Sequence, residues 1–425
     1  MTSEATSQAQ SLFSQLARSV PPFSWPMPPV PVTYNFDQGL PGQETFPLSD
    51  LKRLAVEILE RDEGRALEYI SFDYEDASQT LSYLSSYPEM AMGFTGLREE
   101  LAAWVGRVNN RADLSADNFI LAAGSVQAIA LAVNAFVDPG DGVLAEAVTF
   151  PYATRYITMR GADLRTVRLD EDGLSVDHLE QQLKAMRADG TRPKLLYTIP
   201  TFQLPTGLCT SLERRKRIME LAREWNIVIV EDAIYSDLRY DGERIPSLLE
   251  LDDSGLVMQS HAFSKTVAPA IRLGWVAGDP EMLAGLARVR QDLGVSQWTA
   301  RIMAEYVGRG LLDSHIEDIN AIYRRKRDLA VAAVRDNCGS LVTFRVPDGG
   351  FYLWLRISGD VDWNSVQRQA ERKGVYLRPG EKFAGTGVAD GNRYLRLAYS
   401  HASESQLALG IETLGAAIRA ASARS

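Results

Sequence analysis

The stretch QSHAFSKTVAPAIRLGW, residues 259–275, places a strand-like run, a lysine and an arginine close together. Its first part continues the apolar run LVMQSHAF, which is typical of a buried strand. Lys265 follows that run after a serine, and Arg272 opens a second strand-like run, RLGW. A single lysine in such a place is most often a solvated loop residue. The other strands of the chain decide whether Lys265 has a different role.

Seven short apolar runs alternate with helical patterns through the middle of the chain. They span residues 118–124, 142–148, 164–169, 194–200, 227–232, 256–263 and 271–278. Short apolar strands separated by helices are typical of a mostly parallel sheet that helices cover on both faces. The sequence therefore predicts an α/β fold with a mostly parallel, seven-stranded sheet in a large domain.

The C-terminal third has a different pattern, which predicts a smaller α+β domain. LVTFRVPDGGFYLWLRI indicates two strands joined by a Pro-Asp-Gly-Gly turn. Earlier in the chain, Thr210 and Glu213 have capping-box spacing, so we expect a helix to begin there. The expected division is a flexible proline-rich arm (1–33), the N-terminal part of the small domain (34–75), the large domain (76–310) and the C-terminal small domain (311–425).

Composition excludes several classes of function. The formal net charge is -10 without a basic block, which argues against nucleic acid or an anionic membrane surface as a partner. The four histidines are scattered, and Cys209 and Cys338 are far apart, so we expect neither a metal site nor a disulfide framework. No apolar run approaches the roughly 20 residues that span a bilayer, and the N-terminus lacks signal-peptide features. We therefore expect a cytoplasmic protein.

Chemically useful groups follow five of the predicted strands. Ligands in open α/β sheets bind beyond the carboxyl ends of the strands. The groups found there are the helix-opening pair Gly124 and Ser125, the aromatic Phe150, the pair Asp232 and Tyr235, and the pair Lys265 and Arg272. Taken alone, Phe150 is more often a core residue and Asp232 a helix cap. Together they offer an anion site, an aromatic face, a buried acid, a phenol and an amine.

Pyridoxal 5'-phosphate (PLP) is a cofactor that uses every one of these groups. It requires a lysine for its Schiff base and an acid that keeps its ring nitrogen protonated. Its phosphate is suited to a helix N-terminus and an arginine, and its ring to an aromatic stack. We therefore predict PLP as the cofactor.

The sequence resembles the fold-type I, class I/II aminotransferase family of PLP-dependent enzymes, nearest to its 2-aminoadipate/kynurenine-type and regulator-associated branch. The resemblance extends from YNFDQGLPGQETFPLSDL to NRYLRLAYSHASESQLALGIETL. Matching blocks include GFTGLREEL, GSVQ, PTGLCTSLERR, EDAIY, FSKTVAPAIRLGW, PDGGFYLWL and RPGEKF. This resemblance implies an aminotransferase that converts an α-amino acid to a 2-oxo acid, as a homodimer with shared active sites.

The resemblance also implies a role for individual residues. Lys265 would be the Schiff-base lysine and proton shuttle, Asp232 the partner of the ring nitrogen, and Tyr235 the donor to the ring hydroxyl. Phe150 would stack on the ring. The implied phosphate ligands are Ser125, the Val126 backbone, Ser264, Arg272 and Tyr87 of the partner subunit. The implied substrate ligands are Arg396, which would clamp the α-carboxylate, together with Tyr352 and Gly39.

Two positions depart from the family pattern. Leu204 stands where the motif Asn-Pro-Thr-Gly has an asparagine, and Ala262 stands where the family has a serine or threonine that binds phosphate. Both changes remove polar contacts to the cofactor, while Lys265 and Asp232 remain. We interpret this as an active site with altered properties.

Two alternatives to amino-group transfer stay open at this point. The first is a PLP-dependent elimination, replacement or carbon–carbon bond-forming enzyme of a biosynthetic pathway, including one that acts on S-adenosylmethionine. The second is the PLP domain of a transcriptional regulator, which the missing helix-turn-helix pattern disfavours. The sequence does not identify the amino acid.

Overall fold

The fold is built around one large sheet and one small sheet. It is described by a computed structural model that covers residues 12–20, 30–68, 88–359, 361, 363–385 and 393–422. Its strands are β1 (Tyr34–Asn35), β2 (Phe119–Ala122), β3 (Gly142–Glu146), β4 (Asp163–Val167), β5 (Leu169–Asp170), β6 (Gly173–Leu174), β7 (Pro193–Thr198), β8 (Val228–Asp232), β9 (Val257–Ala262), β10 (Gly274–Ala277), β11 (Val342–Thr343), β12 (Tyr352–Ile357), β13 (Val375–Tyr376), β14 (Arg378–Pro379) and β15 (Tyr394–Ala398).

The helices of the described residues come before, between and after the strands of the large sheet along the chain. They are α1 (Gln15–Ser19), α2 (Leu48–Asp62), α3 (Pro88–Met92), α4 (Thr95–Val108), α5 (Ser125–Phe136), α6 (Pro151–Met159), α7 (Val176–Asp189), α8 (Leu212–Trp225), α9 (Leu248–Leu251), α10 (Pro280–Val289), α11 (Gln297–Gly308), α12 (Leu311–Cys338), α13 (Trp363–Arg372) and α14 (Glu404–Ser422).

The large sheet has seven strands in the order β2-β10-β9-β8-β7-β3-β4. Strand β10 runs antiparallel to both of its neighbours, and the other pairings are parallel. The seven strands are the seven apolar runs of the sequence, so the predicted mostly parallel sheet is confirmed. Its strands are apolar almost throughout because both faces are covered.

Alternate residues of one strand pack into two different cores. In β2, Phe119 and Leu121 belong to the core that also contains residues of α4, α7, α8 and α11. Ile120 and Ala122 belong to the core shared with α5, α6, α10 and the C-terminal residues. Successive side chains of a strand point to opposite faces of a sheet, so the two cores lie on its two sides.

The small sheet has the order β11-β12-β15-β14, and its pairings are antiparallel. An N-terminal segment joins this part of the molecule, because β1 pairs parallel with β13. The buried Phe36 then donates its N–H to the Tyr376 carbonyl, and its own carbonyl accepts from the N–H of Ala398. Farther along, Leu54 and Ile58 of α2 pack into the core with α11. Residues 34–66 thus contact both parts of the molecule, and the expected domain boundaries stay a prediction.

One local expectation was wrong. Helix α8 is capped at Ser211 without a side-chain hydrogen bond, and the predicted Thr210–Glu213 capping box does not form. The reason is that the N–H of Thr210 donates to the carbonyl of Pro200, which keeps Thr210 in the preceding loop.

The two strands predicted on either side of the Pro-Asp-Gly-Gly segment are β11 and β12. They pair antiparallel, and β11 has only two residues. The segment packs against residues 238–241. The Asp348 carbonyl accepts from the N–H groups of Tyr240 and Asp241, and Gly350 donates to the Leu238 carbonyl.

Candidate active site

The predicted site residues gather at one edge of the large sheet. Asp232 ends β8, and Lys265 lies three residues beyond β9. Arg272 precedes β10, and since β10 runs antiparallel to β9, its beginning lies at the same edge. Ser125 opens α5 three residues after β2 ends at Ala122. The topology therefore brings together side chains that are up to about 150 residues apart in sequence.

The beginning of α5 and Arg272 form an anion site. Gly124 caps the helix with φ of 91°, a conformation that favours glycine. A Cβ at this position would lie 3.1 Å from Nη2 of Arg272, so the guanidinium packs directly against the helix start. Nη2 also donates to the Ala123 carbonyl at 2.5 Å. Free N–H groups of Ser125 and Val126 at a helix N-terminus, beside a guanidinium, suit a phosphate.

Ser264 and Tyr87 are two further phosphate ligands that the sequence predicts. Ser264 lies in the turn between β9 and Lys265 and is half-buried. Tyr87 lies outside the described residues. Ala262, the other position of interest here, is the buried last residue of β9.

Asp232 is a buried acid whose ionised form would be stabilised by a nearby positive charge. It is 1% exposed, and its Oδ2 accepts from the Tyr197 hydroxyl at 2.8 Å. Its Oδ1 has only a long contact of 3.4 Å with the N–H of Ile234. Burial raises the pKa of Asp232 to about 6, although the Tyr197 hydrogen bond opposes the rise. A protonated ring nitrogen is the kind of partner that would stabilise this carboxylate.

Lys265 lies in a cavity, and the pKa of its amine is lowered. Its Nζ donates to the Gly39 carbonyl at 2.8 Å and lies 5.9 Å from the centre of the Tyr235 ring. Burial, followed by the positive charge of Arg396, lowers the pKa of Lys265 to about 8, while Asp232 opposes the drop. A substantial share of the amine is therefore neutral, and hence nucleophilic, just above neutral pH.

Tyr235, Tyr352 and Arg396 form the wall next to Lys265. The two tyrosine hydroxyls are 2.6 Å apart. The guanidinium of Arg396 lies 4.6 Å from the centre of the Tyr352 ring and donates to the backbone carbonyl of Asp37. In the described part of the chain, Nε of Arg396 is buried without a hydrogen-bond partner. An unpaired, buried guanidinium N–H is a donor that a bound carboxylate could satisfy.

Gly39 is close to this wall because it has no side chain. A Cβ on Gly39 would lie 2.0 Å from the Tyr352 hydroxyl oxygen. The glycine therefore lets its carbonyl reach Lys265 while Tyr352 reaches Tyr235. The sequence placed Gly39 among the substrate ligands, and the structure places it between the lysine and Tyr352.

Gly39, Tyr235, Lys265, Tyr352 and Arg396 line a cavity of about 500 Å³, whereas Ser125, Asp232 and Arg272 are not part of its lining. Leu204 contributes an apolar part of its wall and is 5% exposed. The aromatic side chains in the lining are Phe150, Tyr152, Tyr235, Tyr352, Tyr376 and Phe383. The charged ones are Asp37, Lys265, Arg378 and Arg396. The lining thus combines several aromatic side chains with four charged ones.

Sequence reasoning missed four residues of this region: Asp37, Tyr197, Arg378 and Glu146. Tyr197 looked like an ordinary strand residue in KLLYT. Glu146 had a signal, since it is an acid at the end of the apolar strand GVLAE. Asp37 and Arg378 have no local pattern and meet only in the folded chain.

Glu146 organises two of the loops that border the cavity. It is buried and accepts hydrogen bonds from the Thr149 and Thr198 hydroxyls, the Ile199 N–H and the Gln203 amide. Burial raises the pKa of Glu146, and these hydrogen bonds oppose the rise. They connect the loop that carries Phe150 to the loop that carries Leu204.

The residues present fit PLP on their own chemistry. The arrangement has an anion site, a buried carboxylate without a cation, a lysine with a lowered pKa, an aromatic wall and an unpaired guanidinium N–H. Among the described residues, no group of three histidine, cysteine or acidic side chains is placed to hold a metal ion. None of the described helices is long and apolar enough to cross a membrane.

Comparisons with known proteins identify the family of the chain. A model of the family described as aminotransferase class I and II matches residues 81–414. The aromatic-amino-acid aminotransferase 1 of Thermococcus litoralis is 32% identical over 383 residues, covering 90% of this chain and 87% of the relative.

Solved structures agree as well. The multiple substrate aminotransferase from Thermococcus profundus matches with a TM-score of 0.87 at 31% identity, over 98% of this chain and 100% of that one. The Pyrococcus horikoshii kynurenine aminotransferase, solved with PMP, matches with a TM-score of 0.85 at 29% identity, over 98% of this chain and 99% of that one.

The fold is that of a fold-type I PLP-dependent enzyme. The chain belongs to the class I and II aminotransferase family, as the sequence predicted. Its cofactor is PLP and its activity is the transfer of amino groups. Amino-group transfer is the reaction named for the relative and the two solved structures described above.

Proposed function

We propose that this enzyme moves the amino group of an α-amino acid with an aromatic or other large apolar side chain to a 2-oxo acid, with Lys265 as the catalytic lysine. The observation that carries the proposal is the position of the Lys265 amine. It shares one cavity with Arg396, the proposed ligand of the substrate carboxylate, and with six aromatic side chains. The names of the relatives in Thermococcus litoralis and Pyrococcus horikoshii support a substrate with an aromatic ring.

PLP, when bound, supplies an electron-withdrawing ring that makes the α-proton of an attached amino acid acidic enough for a side-chain base. Lys265 would be that base. Its pKa of about 8 gives a neutral amine that can take a proton near neutral pH and release it again on the same face. The same neutral amine would anchor the cofactor between turnovers.

Asp232 would keep a proton on the ring nitrogen. Its carboxylate is buried, and the Tyr197 hydrogen bond fixes its orientation and favours its ionised form. Tyr235 would donate to the ring hydroxyl, and Phe150 would cover one face of the ring. Ser125, the N–H of Val126, Ser264 and Arg272 would hold the phosphate, with Tyr87 of the partner subunit.

The substrate would be held by its α-carboxylate. Arg396 would supply the guanidinium, and Tyr352 and Gly39 would form the adjacent wall. Stacking of Arg396 on Tyr352 and on Phe383, with centroid distances of 4.6 and 4.9 Å, limits the orientations available to the guanidinium. A preset orientation lowers the entropy lost when a carboxylate binds.

A homodimer is supported by exposed apolar groups near the site. Leu67, Leu293 and Trp298 are 67%, 64% and 37% exposed, and they line one surface depression together with Met90. Exposed apolar side chains clustered in this way are typical of an interaction surface.

The two free cysteines, Cys209 and Cys338, are consistent with the cytoplasm that the sequence indicated.

The proposed activity is tested by offering the PLP-loaded enzyme a panel of amino acids, each with several 2-oxo acids. Mass spectrometry of the products shows whether an amino group has moved. We expect amino acids with aromatic or large apolar side chains to give the highest kcat/KM. Release of ammonia without a new amino acid, or a clear preference for small or cationic side chains, would contradict the proposal.

A further inference from the structure

A buried ion pair occupies the substrate side of the cavity. Nε and Nη2 of Arg378 each donate to a different oxygen of the Asp37 carboxylate. Asp37 is 9% exposed and Arg378 is 8% exposed. This two-point geometry is the strongest that an arginine and a carboxylate adopt. Nothing in the proposed catalytic steps uses either residue.

Arg378 lies next to the arginine that is proposed to bind the substrate. In the pairing of β14 with β15, Arg378 is directly opposite Arg396. Directly opposed residues of an antiparallel pair project to the same face, and two like charges there repel each other. The Asp37 carboxylate relieves the repulsion, since its Oδ1 is also 3.9 Å from Nη2 of Arg396. Asp37 therefore sits against both guanidinium groups.

The charges of the cavity then set how many carboxylates it can accept. Among the described residues that line it, the guanidinium groups belong to Arg378 and Arg396 and the single carboxylate to Asp37. Asp37 accepts both hydrogen bonds that Nε and Nη2 of Arg378 could donate to a substrate carboxylate. Arg396 is therefore the guanidinium that remains for the α-carboxylate of the substrate. A second substrate carboxylate would meet the negative Asp37 or would have to displace it from a buried pair. Either event is costly in free energy.

We propose that Asp37, by occupying Arg378, makes the enzyme selective for amino acids and 2-oxo acids that carry one carboxylate. This inference rests on the proposed function, because it assigns the α-carboxylate to Arg396. Asp37 and Arg378 are specificity-determining residues in this account. Arg378 is a latent binding site for a second carboxylate that Asp37 keeps closed.

The substitution Asp37→Asn tests the inference, since asparagine keeps the shape of the side chain and removes its charge. We expect the ratio of kcat/KM for glutamate or 2-aminoadipate to that for phenylalanine to rise at least tenfold. The ratio cancels any general gain in α-carboxylate binding by Arg396. In the double variant Asp37→Asn/Arg378→Gln the gain should disappear, because the guanidinium that the second carboxylate needs is gone.

Binding of unreactive acids provides a second readout. By calorimetry, the wild-type holoenzyme should bind 3-phenylpropionate at least tenfold more tightly than glutarate. Asp37→Asn should reduce this difference in affinity or reverse the order of the two acids. Equal affinity of the wild type for both acids would overturn the inference, even if Asp37→Asn fails to fold. An unchanged order in a folded Asp37→Asn variant would also overturn it.

The same measurements separate this inference from the proposed function. If the wild type moves no amino group from any amino acid, the proposed function fails, while the order of acid binding still tests Asp37. If transfer occurs but acid binding shows no preference for one carboxylate, only the inference about Asp37 fails.

Discussion

Lys265 owes its proposed reactivity to the groups around it. An exposed lysine is almost fully protonated at neutral pH, whereas burial and Arg396 lower the pKa of Lys265 to about 8. The hydrogen bond to the Gly39 carbonyl holds the amine at one place in the cavity. At this scale, a single side chain gains its chemistry from a nearby positive charge and from the loss of water.

We predict that PLP added to the cofactor-free enzyme, followed by borohydride, places the pyridoxyl mass on Lys265. The reaction needs the neutral amine, so its rate should rise with pH and level off above about pH 8, because the pKa of Lys265 is lowered. Peptide mapping measures the label. The exposed Lys184 controls for the pH dependence of the reagent itself.

A label on another lysine would contradict the assignment of Lys265. The variant Lys265→Ala should lose most turnover, on the order of a hundredfold or more, because it removes the acid–base group. It should still bind PLP without a covalent bond. Full activity in Lys265→Ala would also refute the assignment.

Leu204 is the second position where one side chain determines the chemistry. It lies in the cavity wall and cannot donate a hydrogen bond. In Leu204→Asn we expect the absorbance titration of the bound cofactor to move down by about one pH unit, because an amide donor stabilises an anionic oxygen by roughly 1.5–3 kcal/mol. A spectrophotometric pH titration measures this.

Leu204→Met is the matched control, since it keeps a similar volume and adds no donor. Identical titration curves for wild type and Leu204→Asn would show that this position does not contact the cofactor electronically. A single-turnover assay, run on the same proteins, reports whether the yield of amino transfer changes with the titration.

At the scale of elements, the segment after β1 positions the substrate side of the cavity. Hydrogen bonds of Phe36 to Tyr376 and Ala398 hold the segment against the small sheet. The next residues then carry Asp37 to Arg378 and the Gly39 carbonyl to Lys265. A strand of two residues thus sets the position of two contacts in the site.

Gly39→Ala should disrupt this arrangement. Its Cβ would lie 2.0 Å from the Tyr352 hydroxyl oxygen, so Tyr352 must move away from Tyr235. We expect kcat/KM to fall about tenfold or more and the protein to lose roughly 1–3 kcal/mol of stability. Steady-state kinetics and denaturant unfolding measure the two effects.

Gly64→Ala is the control for replacing a glycine, because a Cβ there would meet nothing within 4 Å. In a Tyr352→Phe background, the added cost of Gly39→Ala should shrink, since the closest clashing atom is gone. If Gly39→Ala behaves like Gly64→Ala, the close approach of Gly39 and Tyr352 has no functional importance.

Much of the large sheet and its polar edge could be predicted, for a physical reason. Strands buried on both faces are continuous apolar runs, and they end where polar groups such as Asp232 appear. The capping residue of α8 and the packing of Pro347–Gly350 against residues 238–241 could not be predicted. Loop contacts, such as the hydrogen bond of Thr210 to Pro200, override the local preferences of the sequence. The ion pair of Asp37 and Arg378 could not be predicted either, since no sequence motif indicates that these two residues meet.

At the scale of the whole molecule, the proposed dimer depends on the apolar surface that contains Leu293. We predict that Leu293→Arg shifts the protein toward monomer and weakens its retention of PLP, because a charge would be buried in the interface. Light scattering and cofactor dialysis measure the two effects. Leu409→Arg is the control, since Leu409 is 52% exposed on α14, away from that surface.

A dimer that persists in Leu293→Arg would place the interface elsewhere. A wild-type protein that is fully active as a monomer at assay concentrations would contradict the proposal of shared sites.

The pairing of β1 with β13 also has a consequence for how the enzyme is made. Asp37 and its partner Arg378 are separated by 341 positions in the chain, and Arg396 is farther still. A ribosome adds residues one at a time, so the segment that carries Asp37 must wait for the segments that carry Arg378 and Arg396. The nascent chain therefore has no complete substrate pocket until both arginines have been synthesised. Selectivity for the substrate can arise only after that point.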